Sequence, residues 1–278
     1  ILSLLKYIFI KKPDVIYIVG FRLSVLLRFF CILLSKSILV QGVRWNPNSN
    51  SMLDRVFRFV ERFFSFLLDG YIVYSNTTRE TLNLITKKKV ELIYNGISYP
   101  SNGISRNSNN NVITIANLSE RKGHKEYLKI ISSIVRRVPS SQFLFLGYDN
   151  LDGEIQKLIV EVKLSSNVQY LGFQENVENF LAESTIFVLP SKYGEGCPTS
   201  ILEAFSFKLP VVAYRTDGIP ELVSHNVDGI LADVGDTKSL ANSIEDLLLD
   251  PIKAKDMGNR GYQKVKEKFA LDDMIKKH

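Results

Sequence analysis

Short apolar runs alternate with helix-forming segments along this chain, and that alternation limits its possible folds more than any other feature. The runs are rich in Val, Ile, Leu and Phe, as is typical of strands that are buried on both faces of a sheet. Two parallel strands need a long crossover between them, which is usually a helix. The alternation therefore predicts an α/β protein built from parallel βαβ units.

The pattern predicts four strands in the first part of the chain and six in the second. The first four are residues 14–19, 37–41, 71–74 and 92–94, with helices at 21–34 and 53–68 and a third that begins at Asn76. The next six are residues 112–115, 143–146, 168–171, 186–189, 211–214 and 229–232. The helices predicted between and after them are 125–137, 153–164, 177–182, 199–207, 219–223, 238–249 and 252–269. Six strands that are each followed by a helix are typical of a doubly wound open sheet, whose ligands bind at the carboxyl ends of the strands.

A polar segment at residues 100–110 separates the two parts. Ser, Asn and Gly crowd into it, so it can bury little apolar surface and is expected to be an exposed linker. We therefore predict a first domain at residues 1–99 and a second at residues 111–278. The chain starts at Ile1 inside an apolar segment, from which we expect a fragment whose first domain is incomplete.

The positive charge of the chain lies in its first part. Residues 1–100 carry 14 Lys and Arg against 6 Asp and Glu, a net charge of +8, whereas residues 101–278 carry 21 against 23, a net charge of −2. Basic side chains interrupt every apolar run before it reaches the ~20 residues that a membrane-spanning helix needs. Residues 21–68 could lie on an anionic membrane surface, or form buried helices whose basic side chains reach the solvent. No nucleic-acid-binding motif accompanies the charge, so nucleic acid is not an expected partner.

The cysteines and histidines form no pattern of their own. Cys31 and Cys197 are far apart in the sequence, and the three histidines lack the spacing of metal ligands. Isolated cysteines are typical of a reducing compartment. We therefore expect a cytoplasmic protein, either soluble or peripheral on the inner face of the membrane.

Residues 193–203 connect a buried strand to a helix through a turn of small residues. Backbone N–H groups at a helix start have no intrahelical partner, and the helix dipole favours negative charge there. Pro198 suits the first helical turn, because its missing N–H is not needed. The turn is therefore a candidate phosphate site, and Glu195 and Glu203 on either side of it can face a ligand bound there.

Three further loops follow predicted strands of the second part. Arg121 and Lys122 could neutralise a diphosphate or form an ordinary solvated turn. Gly172 would let a flat ring approach the backbone, although a plain strand end explains it equally well. Glu221 is better explained as a carboxylate at a helix start than as a ligand.

Glu195 and Glu203 could alternatively be the acid and base of a glycoside hydrolase. Their loop is a candidate phosphate site, and a second anion-binding loop is predicted across the strand ends, which argues against hydrolysis. A carboxylate at a helix start can instead accept hydrogen bonds from ribose or sugar hydroxyls, or simply interact with the helix dipole.

Residues 111–250 resemble the nucleotide-binding domain of retaining glycosyltransferases of family 4. The resemblance rests on blocks in the expected order, at residues 116–124, 168–173, 188–191, 195–204, 210–213, 218–223 and 228–231. Residues 12–16, 69–75 and 93–97 resemble the family more loosely. The resemblance implies the GT-B fold, which consists of two Rossmann-like, doubly wound domains.

The resemblance also implies roles for the matching residues. Glu195 would contact hydroxyls of the transferred sugar, Glu203 would hold the ribose hydroxyls, and Lys122 would be the countercharge of the diphosphate. The family generally needs no bound metal, and the chain has no Asp-x-Asp motif, so we expect neither a metal nor another cofactor. With Glu195 and Lys122 as catalytic residues, the expected donor-binding residues are Arg121, Leu171, Gly172, Phe173, Gly196, Cys197, Pro198, Thr199, Ser200, Ile201 and Glu203.

The chain departs from the family's pattern at three positions. Asn117 stands where the family usually has arginine, so one diphosphate contact would pass to Arg121 or be lost. Gln41 replaces a histidine that is often found on the first domain, and Lys208 stands where glycine is frequent.

The resemblance implies transfer of a sugar from a nucleotide-diphosphate sugar to a saccharide or lipid-linked acceptor, as in polysaccharide or glycolipid assembly. A fragment could lack this activity on its own. The departures at Asn117 and Gln41 leave an alternative, a catalytically silent subunit that binds a sugar nucleotide and scaffolds a partner. A sugar-nucleotide epimerase of similar fold would need catalytic acids and histidines, and histidines are scarce in this chain.

Overall fold

The computed structural model describes residues 2–34, 37–49, 51–99 and 110–278. The chain forms two compact units, the first comprising Ile1–Tyr94 with Gly194–Cys197 and the second Asn95–Tyr193 with Pro198–His278. Residues 95–99, which the sequence assigns to the first domain, therefore group with the second unit. The predicted linker lies outside the described residues except for Asn110, which directly precedes the first strand of the second unit.

The first unit contains a sheet of four parallel strands, each paired with the next one along the chain. All four predicted strands form, although the fourth begins before and ends before the predicted residues. The helix at 21–34 has the predicted bounds, and a helix that was not predicted precedes the first strand. The strands are β1 (Val15–Val19), β2 (Ile38–Val43), β3 (Gly70–Val73) and β4 (Lys89–Leu92), and the helices are α1 (Leu2–Lys11), α2 (Phe21–Leu34), α3 (Met52–Phe64) and α4 (Asn76–Asn83).

The sequential strand order places the connecting helices on one face of this sheet. Crossovers between parallel strands are right-handed, so a chain that advances in one direction across the sheet lays α2, α3 and α4 on the same side. Phe57 of α3 is completely buried there, with its ring 5.1 Å from the ring of Trp45 and 5.1 Å from that of Phe21. Ser51 begins α3 by accepting a hydrogen bond from the N–H of Asp54, as expected of an N-terminal cap.

A buried ion pair joins α2 to α3. Nη2 of Arg28 lies 2.9 Å from Oε1 of Glu61, and both side chains are fully buried. Oε1 of Gln41 accepts hydrogen bonds from Arg28 at 2.7 Å and from Ser24 at 2.6 Å, and the hydroxyl of Tyr71 donates to Glu61. Removing one partner of such a pair leaves a buried charge and typically costs about 3–5 kcal/mol. The sequence allowed two environments for the basic side chains of residues 21–68, a membrane surface or the solvent. The guanidinium of Arg28 is in neither, because it is buried in the ion pair with Glu61.

The second unit contains a sheet of six parallel strands and its helices. All six predicted strands form, and the last three have the predicted bounds. The strands are β5 (Asn111–Ile115), β6 (Gln142–Leu146), β7 (Val168–Tyr170), β8 (Ile186–Leu189), β9 (Val211–Tyr214) and β10 (Gly229–Ala232). The helices are α5 (His124–Arg137), α6 (Glu154–Glu161), α7 (Glu178–Ala182), α8 (Thr199–Ser206), α9 (Ile219–Leu222), α10 (Thr237–Leu249), α11 (Pro251–Lys268) and α12 (Leu271–Lys277).

The strand order of the second unit reverses direction between β5 and β8. The order across the sheet is β10-β9-β8-β5-β6-β7, so the chain moves outward from β5 through β6 to β7 and then returns to the other side of β5. A doubly wound sheet with this kind of order has helices on both faces, as predicted, and opens a crevice at the carboxyl ends of the two strands where the direction reverses. The loops after β5 and β8 therefore form the expected ligand crevice.

Close packing against α11 holds the end of α8 in place. A Cβ atom on Gly258 would lie 1.8 Å from the carbonyl oxygen of Lys208, and one on Gly261 would lie 2.2 Å from the ring of Phe205. Lys208 itself has a left-handed backbone with φ of 59°. Only glycine adopts that conformation without steric cost, which explains why glycine is frequent at this position in the family that the sequence resembles.

Candidate functional site

The loops that follow β5 and β8 are fastened to each other at the switch point of the second sheet. The backbone N–H of Lys192 donates to the carbonyl oxygen of Arg121 at 2.7 Å. The ammonium of Lys192 also pairs with Glu126, in the first turn of α5, at 2.9 Å. The loop that leads toward α8 therefore has a fixed position relative to the loop that carries Arg121 and Lys122.

Gly123 permits the close approach of these two loops. Its φ of 72° lies in the left-handed region, and a Cβ atom would be 2.1 Å from the carbonyl oxygen of Pro190. Real Cβ atoms do not approach backbone oxygens so closely, so a side chain at this position would force the loops apart. Gly123 is also the residue that caps the start of α5.

Lys122 lies at the entrance of α5, in the crevice. It ends a 3-10 helix, Glu120–Lys122, that directly precedes Gly123, and its side chain is half-buried, as is that of Arg121. The two cations that the sequence singles out are therefore both on the switch-point loop. This location suits the neutralisation of an anion, because the loop shields its charges from part of the solvent.

His124 is buried under this loop and is not a surface base. Its side chain is 1% exposed, its ring packs edge-on against Phe145 at 5.5 Å, and neither ring nitrogen has a hydrogen-bond partner among the described residues. Burial lowers the pKa of His124 to about 4, and the neighbouring charge of Lys122 adds to the effect. The imidazole is therefore neutral at physiological pH, and His124 lies buried at the start of α5.

The start of α8 offers backbone donors at the candidate phosphate site. Pro198 caps the helix, and its carbonyl oxygen accepts a hydrogen bond from the N–H of Ile201 at 3.1 Å. Thr199 and Ser200 supply the first N–H groups of the helix, which have no intrahelical acceptor. Among the expected donor-binding residues at this helix start, Thr199 and Ser200 therefore have N–H groups that are better placed to bind an anion than that of Ile201.

Glu203 lies one turn inside α8 and is half-buried. Its burial raises the pKa of the carboxyl group above the ordinary range. A poorly solvated carboxylate is a strong hydrogen-bond acceptor, because water does not compete for it. Hydroxyl groups of a ligand at the start of α8 would be suitable donors.

The residues from 194 to 197 pack with the first unit, although the sequence assigns them to the second domain. Glu195 and Cys197 are both buried, each with an exposed fraction of 5%. A Cβ atom on Gly196 would lie 2.6 Å from the carbonyl oxygen of Arg44, so glycine allows this segment to approach the backbone after β2. The sequence could not reveal this grouping, because it depends on a contact between residues that are distant in the chain.

Two exposed aromatic side chains stack at the carboxyl ends of β6 and β7. The ring centroids of Tyr148 and Phe173 are 4.4 Å apart, and their planes differ by 6°. The two loops are joined by a hydrogen bond from the N–H of Gly147 to the carbonyl oxygen of Gly172 at 2.9 Å. The half-buried Leu171 precedes Gly172, whose φ of 69° is left-handed. Sequence reasoning found Phe173 but missed Tyr148, although both follow a glycine at the end of a strand.

Asn117 fastens the loop of Tyr148 to the loop after β5. Its side-chain oxygen accepts a hydrogen bond from the N–H of Tyr148, and the N–H of Leu118 donates to the carbonyl oxygen of Tyr148 at 2.8 Å. The Asn117 oxygen therefore supports the aromatic pair. This contact gives Asn117 a structural role at the position where the family usually has arginine.

Gln41 belongs to the interior of the first unit. Its side chain is fully buried, and its oxygen is bound by Arg28 and Ser24. The group that replaces the family's frequent histidine is thus a partner of the buried ion pair and not a surface residue. Glu221 is half-buried in the first turn of α9, as the sequence predicted.

The described residues contain neither a cluster of metal ligands nor a membrane-spanning helix. Among them, no three His, Cys, Asp or Glu side chains come together as the ligands of a metal ion would. No helix within those residues combines the length and the apolar character that crossing a membrane requires.

Comparisons with known proteins agree on the type of enzyme that this chain resembles. A family model described as glycosyl transferases, group 1, matches residues 101–264, more than half of the chain. Amylovoran biosynthesis glycosyltransferase AmsK of Erwinia amylovora is 34% identical over 137 residues, which cover 47% of this chain and 34% of that protein. N-acetyl-alpha-D-glucosaminyl L-malate synthase of Bacillus anthracis is 30% identical over 167 residues, which cover 60% of this chain and 43% of that protein. The matched region thus spans less than half the length of either relative.

Solved structures resemble the chain over nearly its whole length. S. aureus TarM, crystallised with UDP, alpha-GlcNAc-glycerol and Fondaparinux, superposes with a TM-score of 0.86 at 18% identity over 98% of this chain and 57% of its own. HepE of Anabaena, crystallised with UDP and glucose, has a TM-score of 0.86 at 20% identity over 99% of this chain and 79% of its own. Similarity at this level of identity establishes the fold, and the prediction of a GT-B fold with two parallel-sheet units is confirmed.

Proposed function

Because the chain belongs to the family of group 1 glycosyl transferases, we propose that it transfers a sugar from a nucleotide-diphosphate sugar to an acceptor with retention of anomeric configuration. One observation carries the proposal. At the switch point of the second sheet, the loop that bears Lys122 is fastened to the loop that leads toward the start of α8. Cations and helix-start N–H groups at one crevice match the chemistry of a diphosphate.

The diphosphate of the donor would bind at the start of α8. The N–H groups of Thr199 and Ser200 would donate to its oxygens, and the helix dipole would add favourable electrostatic energy, typically about 0.3–1 kcal/mol. Lys122 and Arg121 would supply the countercharge. These groups would stabilise the negative charge that develops when the bond between the sugar and the diphosphate breaks, which is usually the largest contribution of such a site.

The nucleoside would extend from α8 toward β6 and β7. Glu203 would accept hydrogen bonds from the ribose hydroxyls, and the base would bind beside Leu171, Gly172 and Phe173. The stacked pair of Phe173 and Tyr148 offers a planar aromatic surface to the base. TarM and HepE were crystallised with UDP, so UDP-sugars are the first donors to test.

The transferred sugar would be held by Glu195, through hydrogen bonds to its hydroxyls. Gly196 and Cys197 would border the same part of the donor. Catalysis would then rest on positioning the sugar and on stabilising the departing diphosphate, and it would need neither a metal nor another cofactor.

The acceptor is proposed to be a saccharide or a lipid-linked saccharide. Amylovoran biosynthesis is the process named for AmsK, and alpha-GlcNAc-glycerol and Fondaparinux are the saccharide compounds in the TarM crystal. Both favour a role in polysaccharide or glycolipid assembly. We propose a cytoplasmic location for the reaction, in line with the isolated cysteines of the sequence.

The test is a transfer and donor-hydrolysis assay on purified protein with a panel of UDP-, GDP- and ADP-sugars. Glu195→Ala is expected to lower turnover at least 100-fold while the protein stays folded, whereas Glu178→Ala, on the exposed start of α7, should be neutral. Chelation of divalent metals should leave the rate unchanged. Full activity of Glu195→Ala would disprove the assigned role.

A catalytically silent subunit that binds a sugar nucleotide remains the competing proposal. It was suggested by Asn117 and Gln41, and both now have structural roles within their own units. Binding of a donor without any turnover by the wild-type protein would favour the silent subunit. Measurable hydrolysis or transfer would reject it.

A further inference from the structure

Helix α3 exposes an apolar stripe along its whole length. Met52, Val56, Phe59 and Phe63 follow one another at intervals of four, three and four residues, so they share one face of the helix. Their exposed fractions are 77%, 43%, 59% and 55%, and Phe66, just beyond the helix, is 66% exposed. Contiguous apolar patches of this kind on soluble proteins usually mark an interaction site.

The opposite face of α3 is buried, and two of its three buried residues are acidic. Asp54 accepts hydrogen bonds from the indole N–H of Trp45 at 3.1 Å and from the N–H of Ser49 at 3.0 Å. Glu61 is paired with Arg28. Rotating the helix to bury Phe59 and Phe63 would leave these carboxylates without partners, at a cost of several kcal/mol. The outward apolar stripe is therefore held in place by the polar interior.

The exposed charged side chains of α2 and α3 that the structure describes are arginines. Arg55 and Arg62 are exposed on α3, and Arg22 is exposed on α2 together with Leu26 and Phe30. The sequence of α2 has no carboxylate, and both carboxylates of α3 are buried. Because α2 and α3 cover the same side of the sheet, their outward faces form one apolar and cationic surface, here called the α2–α3 face.

We propose that the α2–α3 face docks on an anionic phospholipid membrane. Apolar side chains would enter the boundary between headgroups and acyl chains, where amphipathic helices bury their apolar face by about 5–10 Å. The arginines would bind the lipid phosphates, which they match in charge and geometry. Docking of this kind lays the helices on the membrane and does not require a helix that crosses it.

Charge distinguishes a membrane from a second copy of the chain as the occupant. Two copies facing each other through this surface would bring Arg22, Arg55 and Arg62 of both together without a carboxylate to pair with. Such like-charge contacts oppose association. An anionic lipid surface, in contrast, supplies the negative charge that the face lacks.

Docking is independent of the proposed sugar transfer. The α2–α3 face belongs to the first unit, whereas Lys122, Glu203 and the start of α8 belong to the second. Binding to vesicles and binding to UDP can therefore be measured separately, and failure of one does not imply failure of the other.

The experiment is flotation of the chain with vesicles of phosphatidylcholine alone and of phosphatidylcholine mixed with phosphatidylglycerol. The wild-type chain should float with the anionic vesicles and not with the neutral ones. High salt should weaken the binding, because it screens the arginines. Absence of binding to the anionic vesicles would overturn the proposal.

Two variants of the face and two matched controls test the location. Arg55→Glu/Arg62→Glu and Phe59→Ser/Phe63→Ser should each lower the partition coefficient about tenfold or more. Lys157→Glu/Lys266→Glu and Val160→Ser/Ile252→Ser make the same kinds of change at exposed positions of the second unit and should bind as the wild type does. Thermal unfolding of each variant verifies that it is folded.

The outcomes separate the possible occupants. If the controls lost as much vesicle binding as the variants of the α2–α3 face, binding would depend on the overall charge or hydrophobicity of the protein. That result would overturn the assignment of the binding site to the α2–α3 face. Dimerisation in analytical ultracentrifugation that is abolished by Phe59→Ser/Phe63→Ser, without vesicle binding, would identify the face as a self-interface and also overturn it.

Discussion

The side-chain oxygen of Asn117 accepts a hydrogen bond from the backbone N–H of Tyr148 at 3.0 Å. Through this bond, the residue that departs from the family's arginine supports an aromatic ring that stacks on Phe173. The departure therefore has a local structural explanation. The hydrogen bond between Asn117 and Tyr148 joins the loop after β5, which carries Arg121 and Lys122, to the loops that are proposed to bind the base.

We expect Tyr148→Ala to weaken UDP binding about tenfold, because stacking of an aromatic side chain on a base is typically worth about 1–3 kcal/mol. Tyr148→Phe keeps the ring and should bind UDP as the wild type does. Asn117→Ala should produce a smaller loss, since it loosens the loop without removing the ring. Isothermal titration calorimetry with UDP measures all three. Equal affinity of Tyr148→Ala and Tyr148→Phe would show that the ring does not contact the base.

Gly123→Ala should destabilise the second unit and lower donor binding. The new methyl group would collide with the carbonyl oxygen of Pro190 and separate the two switch-point loops. Gly153→Ala is the matched control, because Gly153 also has a left-handed φ and caps a helix, but a Cβ atom there meets nothing within 4 Å. We expect about 1 kcal/mol of backbone strain in the control and about 1–3 kcal/mol more in Gly123→Ala. Denaturant unfolding measures both, and equal losses would contradict the collision.

Glu203→Gln should stabilise the free protein and weaken donor binding. Burial raises the pKa of the Glu203 carboxyl group, so the folded state disfavours its ionised form. The resulting cost to stability is present at neutral pH and disappears as the pH falls and the carboxyl group becomes protonated. The variant should therefore melt higher than the wild type at neutral pH, with a gap that narrows in acid, while UDP affinity drops. Glu178→Gln, at an exposed position, is the control; a Glu203→Gln variant that melts lower at neutral pH would contradict the argument.

Protonation of His124 should destabilise the fold in mild acid. Its pKa is about 4 in the folded protein against an ordinary value of 6.5, so the stabilising effect of the neutral form is complete above that ordinary value and is lost as the pH falls from 6.5 toward 4. The expected loss between pH 7 and pH 5 is about 2 kcal/mol. His124→Leu should remove this part of the pH dependence. Urea unfolding at the two pH values tests it, and identical pH dependence in the variant would rule out His124 as the source.

The strands of the second unit could be predicted closely because they are buried on both faces. The predicted bounds of β8, β9 and β10 match the structure, since each is a continuous apolar run that ends at a polar residue or proline. The bounds of β4 were less accurate, because this edge strand includes Lys89 and Glu91 and so lacks an apolar run. The apolar pattern in the sequence is strongest where a strand is completely buried, so the bounds of buried strands are predicted most accurately.

The candidate site was predictable where its chemistry is local. The start of α8 and the loop of Lys122 could be found because a helix start and neighbouring cations are visible in a short stretch of sequence. Tyr148 and the ion pair of Arg28 with Glu61 could not be found, because their partners lie in other parts of the chain. The sequence likewise did not reveal that Arg28 and Ser24 bind the side-chain oxygen of Gln41 inside the first unit.

The sequence by itself determined the alternation of strands and helices, the helix start that follows the turn at residues 193–198, and the basic charge of the first part. These properties follow from side-chain periodicity and from backbone groups that are neighbours along the chain. Only the tertiary structure decided that the strand order reverses between β5 and β8, that residues 194–197 pack with the first unit, and that α3 turns Phe59 and Phe63 outward. Each of these depends on which distant segments satisfy one another's buried polar groups and fill one another's space, and local sequence does not encode that choice.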